Sequence, residues 1–496
     1  MPFFKYPGRR FRRRREFYSL KTTTSGPLST TTLEVEKLIR TQRDSCNRKG
    51  FELEMKSFLK LLSRYLDQKS RPPTLDWNNV QRLKDEQLAF YDTLPTPANT
   101  EPLTKLAVLK LNGGLGATMG MYGAKSALEV KDGLTLLDMT IQQILHTNST
   151  HNIDVPLVIM TSFKTYDDTL HITKKYANQP IGITLFNQSR YPQVTENTYL
   201  PCPKSIFDDA WYPPGNGDLF TALDRSGVLD SLLSDGKEYI FISNSDNLGA
   251  TIDQQILHHM IDSNSEFLIE VTNKTTKDDN GGATVNYEGA VRLIELDQVP
   301  PEHAEDFKSA KNFKSFNTNN MWINLKAIKR VINGGEMELD IIEKMVFAEN
   351  GKRIQLETAA ASAIKYFENP QVVNVPRKRF LPVKTCSDLL LIKSDVFEVD
   401  KGCLILNNSR TFQTIPTIKL SDHFRNIDHF RKRFKTVPSI IDLDLLTVTG
   451  DVYFGRSVTL RGTIIITASE GKRIDIPDGC ILENTLLAGN LGMIEL

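Results

Sequence analysis

The chain has 496 residues, of which 40% are hydrophobic and 24% are charged. That length suits two or three domains, and the composition excludes a fibrous or wholly disordered protein. Lys and Arg (61) nearly balance Asp and Glu (60), so the body of the molecule is not expected to attract nucleic acid or an anionic membrane at long range. No run of residues approaches the roughly 18 apolar positions of a membrane-spanning helix, so we expect no membrane segment.

The cysteines show no pattern typical of a disulfide framework or a metal site, because none forms a CxxC pair or lies at ligand spacing from a histidine. We expect reduced, mostly buried thiols and a cytoplasmic protein. The five positions are Cys46, Cys202, Cys386, Cys403 and Cys480.

Residues 1–33 differ from the rest of the chain. Six arginines fall within seven positions of "RRFRRRREF", and "TTTSGPLSTTT" follows with almost no acid. Such a composition cannot bury a core, so we predict a disordered basic tail. It also fits a mitochondrial import signal or a nucleic-acid-binding or nuclear segment, and these alternatives stay open. For the protein as a whole, a nucleic-acid partner is not expected.

Residues 34–96 show the period of amphipathic helices. In "LEVEKLIRTQRDS" and "FELEMKSFLKLLSRYLDQ", apolar residues recur at spacings of three and four. This pattern predicts an N-terminal helical segment.

Residues 97–386 alternate between β-rich runs and helix-like runs. "LAVLKL", "VPLVIM" and "EYIFIS" are typical of buried strands, and "LDMTIQQILH" and "DQQILHHMIDS" are typical of helices. The alternation predicts an α/β domain with a mostly parallel sheet.

Residues 387–496 contain a six-residue repeat. Two apolar columns recur at this spacing: Leu446, Val452, Val458 and Ile464, and Val448, Phe454, Leu460 and Ile466. After an apparent insertion at "SEGKR" the spacing resumes, from Ile474 to Cys480 to Leu486 and from Ile476 to Leu482. Two columns in phase favour a β-helix over a stack of hairpins. The open ends of such a domain would need capping or a partner, so it is a candidate surface for self-association.

The stretch "LKLNGGLGATMG", residues 109–120, places four glycines directly after a predicted strand. Ligands bind at this edge of an open α/β sheet, and backbone N–H groups without side chains can surround phosphate oxygens. The known motifs do not match, since Met119 replaces the last glycine of GxGxxG and Ala124 replaces the glycine before the lysine of a Walker A loop. Spacing alone leaves phosphate binding and a plain turn open. Lys125 ends the loop as a single cation that could reach phosphate oxygens.

Many ordered motifs from about residue 34 to the C-terminus resemble the eukaryotic UTP–glucose-1-phosphate uridylyltransferases, also called UDP-glucose pyrophosphorylases. The motifs include "LKLNGGLG", "GAKSALEVKDGLTLLD", "FNQSRYP", "NSDNLGATID", "FNTNNMWINL", "QLETA" and "RFLPVKTCSDLLL". The resemblance implies a Rossmann-like (GT-A-like) nucleotidyltransferase domain with a mixed, mostly parallel sheet over residues 97–386. It also implies a left-handed β-helix in residues 387–496, through which relatives form oligomers.

The reaction implied by the resemblance is direct in-line attack of glucose 1-phosphate on the α-phosphate of UTP, which forms UDP-glucose and releases pyrophosphate. Positioning and electrostatic stabilisation would supply the rate. Lys125 and Lys384 match the family's catalytic lysines, and Asp246 matches a position suited to Mg²⁺. The implied substrate-binding positions are Leu111, Gly113, Gly114, Met160, Gln188, Gly215, Asn216, Asn244, Asp246, Gly281 or Gly282, Glu288, Asn317, Asn319 and Phe380.

The chain departs from the family pattern at three places near the implied ligands. "PPGNGD" has Asn216 where the family has histidine, "NGGA" replaces KGGT, and Ala117 follows the glycines where the family has threonine. Asparagine can donate a hydrogen bond but cannot carry charge as imidazole can. Two alternatives therefore stay open beside the uridylyltransferase. One is a weakened or inactive paralogue that binds ligand or an assembly partner; the other is a pyrophosphorylase for a different sugar 1-phosphate.

Overall fold

The computed structural model describes residues 27–41, 45–71, 75–204, 209–275, 282–309, 313–335, 337–348 and 351–489. The predicted basic tail therefore lies largely outside the described residues. No helix in these ranges is long and apolar enough to cross a membrane. The first elements are α1 (Pro27–Thr41), α2 (Ser45–Ser70), β1 (Val80–Gln81) and β2 (Leu88–Phe90).

The central region alternates strands and helices. Its elements are β3 (Leu106–Leu111), β4 (Glu129–Lys131), β5 (Leu134–Thr135), α3 (Leu136–His151), β6 (Leu157–Thr161), α4 (Tyr166–Thr173), β7 (Ile183–Asn187), β8 (Tyr191–Pro192), β9 (Val194–Thr195), β10 (Trp211–Tyr212), α5 (Leu219–Arg225), α6 (Val228–Ser234), β11 (Tyr239–Asn244), α7 (Gln254–Asp262), β12 (Phe267–Asn273), β13 (Ala283–Tyr287), β14 (Ala290–Ile294), α8 (Ala304–Lys308), β15 (Ser315–Asn324), α9 (Leu325–Gly334), β16 (Ile341–Ala348), β17 (Gly351–Thr358) and β18 (Gln371–Asn374).

An eight-stranded sheet in the order β2-β18-β12-β15-β11-β3-β6-β7 forms the centre of the molecule. Neighbouring strands are parallel except at β15, which runs antiparallel to both β11 and β12. Apolar clusters cover both faces of the sheet, and all six residues of β3 are buried between them. Because β3, β6 and β11 are parallel, their carboxyl ends meet at one edge, where α/β sheets bind ligands.

The N-terminal helices pack on a side layer and not on the large sheet. Phe51, Met55 and Phe58 of α2 are buried against residues of β8, β9, β10 and β17, including Trp211 and Tyr191. This packing follows from the apolar stripe that predicted the helices. It places α2 behind the loop that follows β7.

The C-terminal region is built from short elements and parallel ladders. Its elements are α10 (Cys386–Lys393), β19 (Phe397–Asp400), β20 (Cys403–Leu406), β21 (Thr417–Leu420), α11 (Ile427–Arg433), β22 (Leu443–Thr449), β23 (Asp451–Phe454), β24 (Thr459–Ala468), β25 (Arg473–Ile476), β26 (Ile481–Glu483) and β27 (Leu486–Gly489). The eight residues of the two predicted columns before "SEGKR" are buried in one apolar cluster, together with Ile474, Ile476, Cys480 and Leu482. Leu486, predicted to continue one column, is 69% exposed, so the prediction is wrong at this residue.

The predicted fold class needs correction, because a left-handed β-helix is not shown. In the described part of residues 387–496, β21, β22, β24, β26 and β27 form one set of parallel pairs, while β23 and β25 form a separate two-stranded sheet. Strand lengths vary from three residues in β26 to ten in β24. A six-residue repeat specifies which side chains point inward, but it does not specify the direction in which successive strands wind. The fold is an α/β nucleotidyltransferase-like fold.

Candidate functional site

A cavity of about 490 Å³ opens at the carboxyl ends of β3, β6 and β11, and we call it the strand-end cavity. Ten of the predicted site residues lie on its wall: Leu111, Gly113, Gly114, Lys125, Met160, Gln188, Gly215, Asn216, Asn244 and Asp246. The remaining wall residues are Pro213, Ser245, Ile342, Lys344, Glu357, Thr358 and Ala359. The fold thus brings residues from separate motifs into one concave site.

The glycine turn after β3 makes room for neighbouring groups and leaves backbone open to the cavity. A Cβ atom on Gly113 would overlap Nε2 of Gln188, and one on Gly116 would lie 2.8 Å from Cβ of Met121. A Cβ on Gly114 would meet nothing within 4 Å. Side chains must therefore be absent at Gly113 and Gly116 for packing, whereas Gly114 borders open space where a ligand can approach the backbone.

Lys125 and Asp246 form an ion pair on the cavity wall. Nζ of Lys125 lies 2.6 Å from Oδ2 of Asp246, and the two side chains are only 13% and 15% exposed. The other carboxylate oxygen, Oδ1, is buried and has no hydrogen-bond partner among the described residues. A buried oxygen without a partner costs free energy, so this atom is suited to a group that arrives with the ligand.

Gln188 presents a second buried polar atom without a partner. Its backbone N–H donates to the carbonyl of Thr161 at 2.9 Å, which continues the β6–β7 pairing past the strand ends. Its side-chain Oε1 is buried and accepts no hydrogen bond. The wall beside it includes the apolar side chains of Leu111 and Met160. This combination suits a flat group that donates one hydrogen bond.

The turn at Gly215 and Asn216 is fixed by contacts with the segment after β17. Gly215 has a φ of +86°, and a Cβ atom there would lie 2.7 Å from the carbonyl oxygen of Thr358. Oδ1 of Asn216 accepts a hydrogen bond from the backbone N–H of Ala360 at 2.9 Å. The side-chain oxygen of Asn216 is therefore occupied by a hydrogen bond within the protein. Its side-chain NH₂ group is left for a ligand.

Asparagines of β15 extend the site along the sheet edge. Nδ2 of Asn319 donates to Oδ1 of Asn244 at 2.9 Å, and the backbone N–H of Asn319 donates to Oδ1 of Asn317 at 2.9 Å. The backbone N–H of Asn317 donates to the carbonyl of Gly282. Asn317, Asn319 and Gly282 therefore form one hydrogen-bonded row that begins at the cavity wall.

Phe380 and Lys384 lie beside Asp246 but do not line the strand-end cavity. The backbone N–H of Val383 donates to the carbonyl of Asp246 at 3.0 Å. Phe380 is buried, and the exposed Lys384 places Nζ 5.7 Å from the centre of its ring. The backbone N–H of Lys384 donates to Asp388, whose carboxylate also closes the capping box of α10. The start of a helix thus fixes Lys384 next to the cavity.

One predicted sugar position is not brought to the site. Glu288 is exposed at the tip of the β13–β14 hairpin, where its carboxylate accepts from Asn79, and Gly281 lies outside the described residues. At the base of the same hairpin, a Cβ on Gly282 would lie 2.7 Å from Oε1 of Glu295. Sequence reasoning missed Glu295. The hairpin turn at "YEGA" was the available signal, because it places residue 295 opposite residue 282.

The structure also shows how a metal could be held. Among the described residues, no group of three or more His, Cys, Asp or Glu side chains could hold a metal ion. Mg²⁺ commonly binds through one or two carboxylates together with substrate phosphates, and it keeps several waters. Asp246, with its unpartnered Oδ1 on the cavity wall, fits that kind of site.

Glu54 of α2 lies behind the loop that carries Gln188. Its Oε2 accepts from the backbone N–H of Arg190 at 3.4 Å, and its Oε1 lies 3.7 Å from Nη2 of Arg225. Burial raises the pKa of Glu54 to about 7, although the Arg225 cation and the N–H of Arg190 act in the opposite direction. The N-terminal helix thus places a titratable carboxyl against the wall of the site.

We expect Glu54→Gln to become progressively more stable than the wild type as the pH rises from about 4.5 to about 7. The folded state keeps the Glu54 proton up to about pH 7, while the unfolded chain releases it near its ordinary pKa of 4.5, so folding becomes less favourable across this window. The difference in free energy of unfolding should approach about 3 kcal/mol above pH 7. Urea unfolding at several pH values measures it. Glu36→Gln, at an exposed position of α1, should show no such trend, and a constant offset for Glu54→Gln would contradict the prediction.

The comparisons with known proteins agree on one family. The family model described as UTP–glucose-1-phosphate uridylyltransferase matches residues 55–461. A protein of Schizosaccharomyces pombe named as a probable UTP–glucose-1-phosphate uridylyltransferase is 49% identical over 482 residues, which cover 96% of this chain and 95% of that protein.

Two solved structures are similar over almost the whole chain. A UDP-glucose phosphorylase from Trypanosoma brucei has a TM-score of 0.80 and 33% identity, and the match covers 94% of this chain and 100% of that one. A variant of UDP-glucose pyrophosphorylase from Leishmania major, solved with UDP-glucose, has a TM-score of 0.80 and 30% identity, with 92% and 99% covered. These neighbours support the α/β nucleotidyltransferase-like fold and do not show the predicted left-handed β-helix.

Proposed function

This chain belongs to the UTP–glucose-1-phosphate uridylyltransferase family, and we propose that the strand-end cavity is its active site. The chain is an enzyme that forms UDP-glucose and pyrophosphate from UTP and glucose 1-phosphate. The observation that carries the assignment to this cavity is the Lys125–Asp246 pair, with one unpartnered carboxylate oxygen, beside the open backbone of Gly114. A cation, an acceptor and bare amides are the groups that two phosphorylated substrates require.

The uracil ring is read by Gln188. Uracil presents an N3–H donor between two carbonyl oxygens, and Oε1 of Gln188 is a buried acceptor without a partner. Cytosine presents an unprotonated N3 at that position, which would leave two acceptors facing each other. Leaving a buried polar group unpaired discriminates strongly between ligands, so UTP is favoured over CTP. Leu111 and Met160 supply the apolar surface along the ring, and the amide NH₂ of Asn216 remains for the ribose or a phosphate.

The reaction needs no side-chain nucleophile. A phosphate oxygen of glucose 1-phosphate, already ionised at neutral pH, forms a bond to the α-phosphorus of UTP. The bond from that phosphorus to the bridging oxygen breaks, and pyrophosphate leaves with the electron pair. Lys125 and Lys384 hold the phosphates in line and offset the charge repulsion between two anions. Backbone N–H groups at Gly113 and Gly114 add donors that are oriented before the substrates bind.

Asp246 is the residue that would hold Mg²⁺, through Oδ1 and together with substrate phosphates. When bound, the ion would neutralise phosphate charge. Lys125 lies 2.6 Å from the other carboxylate oxygen of Asp246, so its ammonium group is beside the place where these phosphates would bind.

The row of amide and carboxylate groups from Asn244 through Asn319 and Asn317 to Gly282 and Glu295 is the candidate surface for glucose. Side-chain amides can donate to and accept from sugar hydroxyls, and a carboxylate can accept from them. Phe380 packs against Phe316, with ring centres 5.5 Å apart, and gives this end of the site a rigid apolar side. Glu288 has no support from its position at the hairpin tip.

We extend the proposal to a homo-oligomer formed through the C-terminal region. Ile481 and Leu486 on β26 and β27 are 57% and 69% exposed, and exposed apolar residues on terminal strands favour contact with a second copy of the chain. Sedimentation of the purified protein would test a homo-oligomer formed through the C-terminal region.

The cysteines support the cytoplasm as the compartment, where thiols stay reduced. The free thiols are Cys202, Cys386, Cys403 and Cys480.

A pyrophosphate-release assay with Mg²⁺ tests the function. Release should be fastest with UTP and glucose 1-phosphate, and CTP should be at least about 100-fold poorer in kcat/KM because it leaves buried polar atoms unpaired. A panel of other sugar 1-phosphates tests the sugar assignment in the same assay. Absence of release with every pair would contradict the function, and a preference for another sugar would contradict only the glucose assignment.

A further inference from the structure

Asp218 is a buried carboxylate that lies behind the strand-end cavity and is not on its wall. It follows the Gly215–Asn216 turn and occupies the position before α5 where a side chain usually caps the helix. Its carboxylate makes no capping bond to the helix. The side chain is directed instead toward the loop that carries Gln188.

Both oxygens of Asp218 are used by one residue of that loop. Oδ2 accepts from the backbone N–H of Ser189 at 2.5 Å, and Oδ1 accepts from Oγ of Ser189 at 3.0 Å. Nη1 of Arg225 donates to the same Oγ at 2.9 Å. Ser189 is completely buried, and Asp218 is 7% exposed. Hydrogen bonds to a buried charged acceptor are among the stronger ones in proteins.

These bonds fix the residue next to Gln188 on its C-terminal side. On the N-terminal side, the backbone N–H of Gln188 is held by the carbonyl of Thr161, and the side chain of Asn187 accepts from Oγ1 of Thr161. Gln188 is therefore held between two anchors, one on the sheet edge and one at Asp218. The second anchor also joins its loop to the turn of Gly215 and Asn216, so one carboxylate sets the distance between two walls of the cavity.

We propose that Asp218 is a positioning residue for base selection: through Ser189 it holds the side-chain amide of Gln188 where it can accept from uracil N3–H and reject cytosine. The inference rests on the proposed function, because it assumes that Gln188 reads the base. A carboxylate is suited to this role because both of its oxygens accept hydrogen bonds. An asparagine has only one acceptor: its oxygen could accept from the backbone N–H of Ser189, but its NH₂ group could only donate to Oγ, so the hydroxyl would lose its charged acceptor.

The free-energy cost of burying the carboxyl group of Asp218 agrees with a role beyond filling space. Burial raises the pKa of Asp218, while the N–H of Ser189 and the Arg225 cation lower it. Keeping an ionisable group in a desolvated place costs stability. A neutral side chain would fill the same place at lower cost, but it would not offer a charged acceptor to both donors of Ser189.

The test compares UTP and CTP as substrates of Asp218→Asn at a fixed Mg²⁺ concentration, with the nucleotide varied at saturating glucose 1-phosphate and glucose 1-phosphate varied at saturating UTP. We expect KM for UTP to rise about tenfold or more, which corresponds to the loss of one strong hydrogen bond. The ratio of kcat/KM for UTP to that for CTP should fall by about the same factor. Neither kcat with saturating UTP nor KM for glucose 1-phosphate should change more than about twofold. A residue that only stabilises the fold would lower the melting temperature and leave the UTP:CTP ratio unchanged.

Two further variants keep the test decisive. Ser189→Ala removes the Oγ bonds but keeps the bond from the backbone N–H to Asp218, so it should lower the UTP:CTP ratio by a smaller factor, even if Asp218→Asn fails to fold. Asp224→Asn, on the same helix, removes a partly exposed carboxylate that pairs with Lys329 and should change neither KM nor the ratio.

The outcomes separate this inference from the function on which it rests. A wild-type enzyme without preference for UTP over CTP would contradict base reading by Gln188. A wild-type preference that persists in both Asp218→Asn and Ser189→Ala would overturn the role of Asp218 alone.

Discussion

Replacing Lys125 with methionine is expected to lower kcat for UDP-glucose formation by about 100- to 1000-fold. Removing one oriented electrostatic group from an active site commonly has this effect. Nζ of Lys125 is only 2.6 Å from Asp246 on the cavity wall, and methionine keeps the length of the side chain without its charge. The lost contact strengthens as charge develops on the transferring phosphate, so kcat should fall more than KM rises.

Single-turnover and steady-state measurements of pyrophosphate release would check this prediction. Lys174→Met, at an exposed position after α4, is the matched control and should behave as the wild type. Lys125→Arg should retain part of the activity, because the charge remains but the guanidinium geometry differs. A kcat within tenfold of the wild type for Lys125→Met would show that the phosphates are held elsewhere.

The parts of the site that follow a strand directly could be predicted from the sequence. "LAVLKL" and "EYIFIS" are recognisable strands, and in a parallel sheet their carboxyl ends meet. Gly113 and Asp246 each come two residues after such a strand, so the sequence predicted that both lie at this edge of the sheet, and both line the strand-end cavity. Lys125 comes fourteen residues after the end of β3, and its place at the site was predicted from the end of the glycine loop and from the family resemblance.

Contacts that depend on non-local pairing could not be predicted in the same way. The β16–β17 hairpin contributes Ile342, Lys344 and Glu357 to the wall, but nothing in its sequence indicates that β17 pairs with β9 or that the hairpin lines this cavity. β15 has the alternation of a strand, yet its antiparallel insertion between β11 and β12 follows only from the whole sheet. A strand pattern gives the face of each residue and does not identify the neighbouring strand.

The position of Glu288 and the fold of the C-terminal region also depend on contacts that a local sequence pattern does not specify. Glu288 was assigned by motif, whereas its exposed position at the hairpin tip follows from the register Tyr287 to Ala290. In the C-terminal region, the columns of Leu446 and Val448 were found correctly as buried, but inward periodicity contains no information about winding. The prediction of a left-handed β-helix was based on the family resemblance, because the repeat itself does not indicate handedness.

The second large expected effect is a loss of folding stability when the buried Glu270–Arg379 ion pair is broken. Glu270 is completely buried on β12, and Arg379 donates to it through Nε at 2.8 Å and Nη2 at 2.6 Å. Asn320 and Trp322 donate to the same carboxylate. Burial alone would lower the pKa of Arg379, but the carboxylate of Glu270 outweighs it and raises the pKa above the usual value. This pair ties the sheet to the segment that carries Phe380 and Lys384.

We expect Arg379→Met to lower the free energy of unfolding by about 3–5 kcal/mol, because it leaves the Glu270 carboxylate buried without its cation. Glu270→Gln in the same chain should recover part of the loss, since it removes the uncompensated charge while the amide oxygen can still accept from either Asn320 or Trp322, which donate to different oxygens of Glu270. The two changes should therefore be strongly non-additive in urea unfolding. Arg330→Met is the matched control: its partner Glu266 forms an exposed Arg–Glu pair, with Arg330 48% exposed, and its loss should cost less than about 1 kcal/mol. Equal losses for the two arginine variants would mean that the buried pair does not fix this segment, and Lys384 would then have to be held by the start of α10 alone.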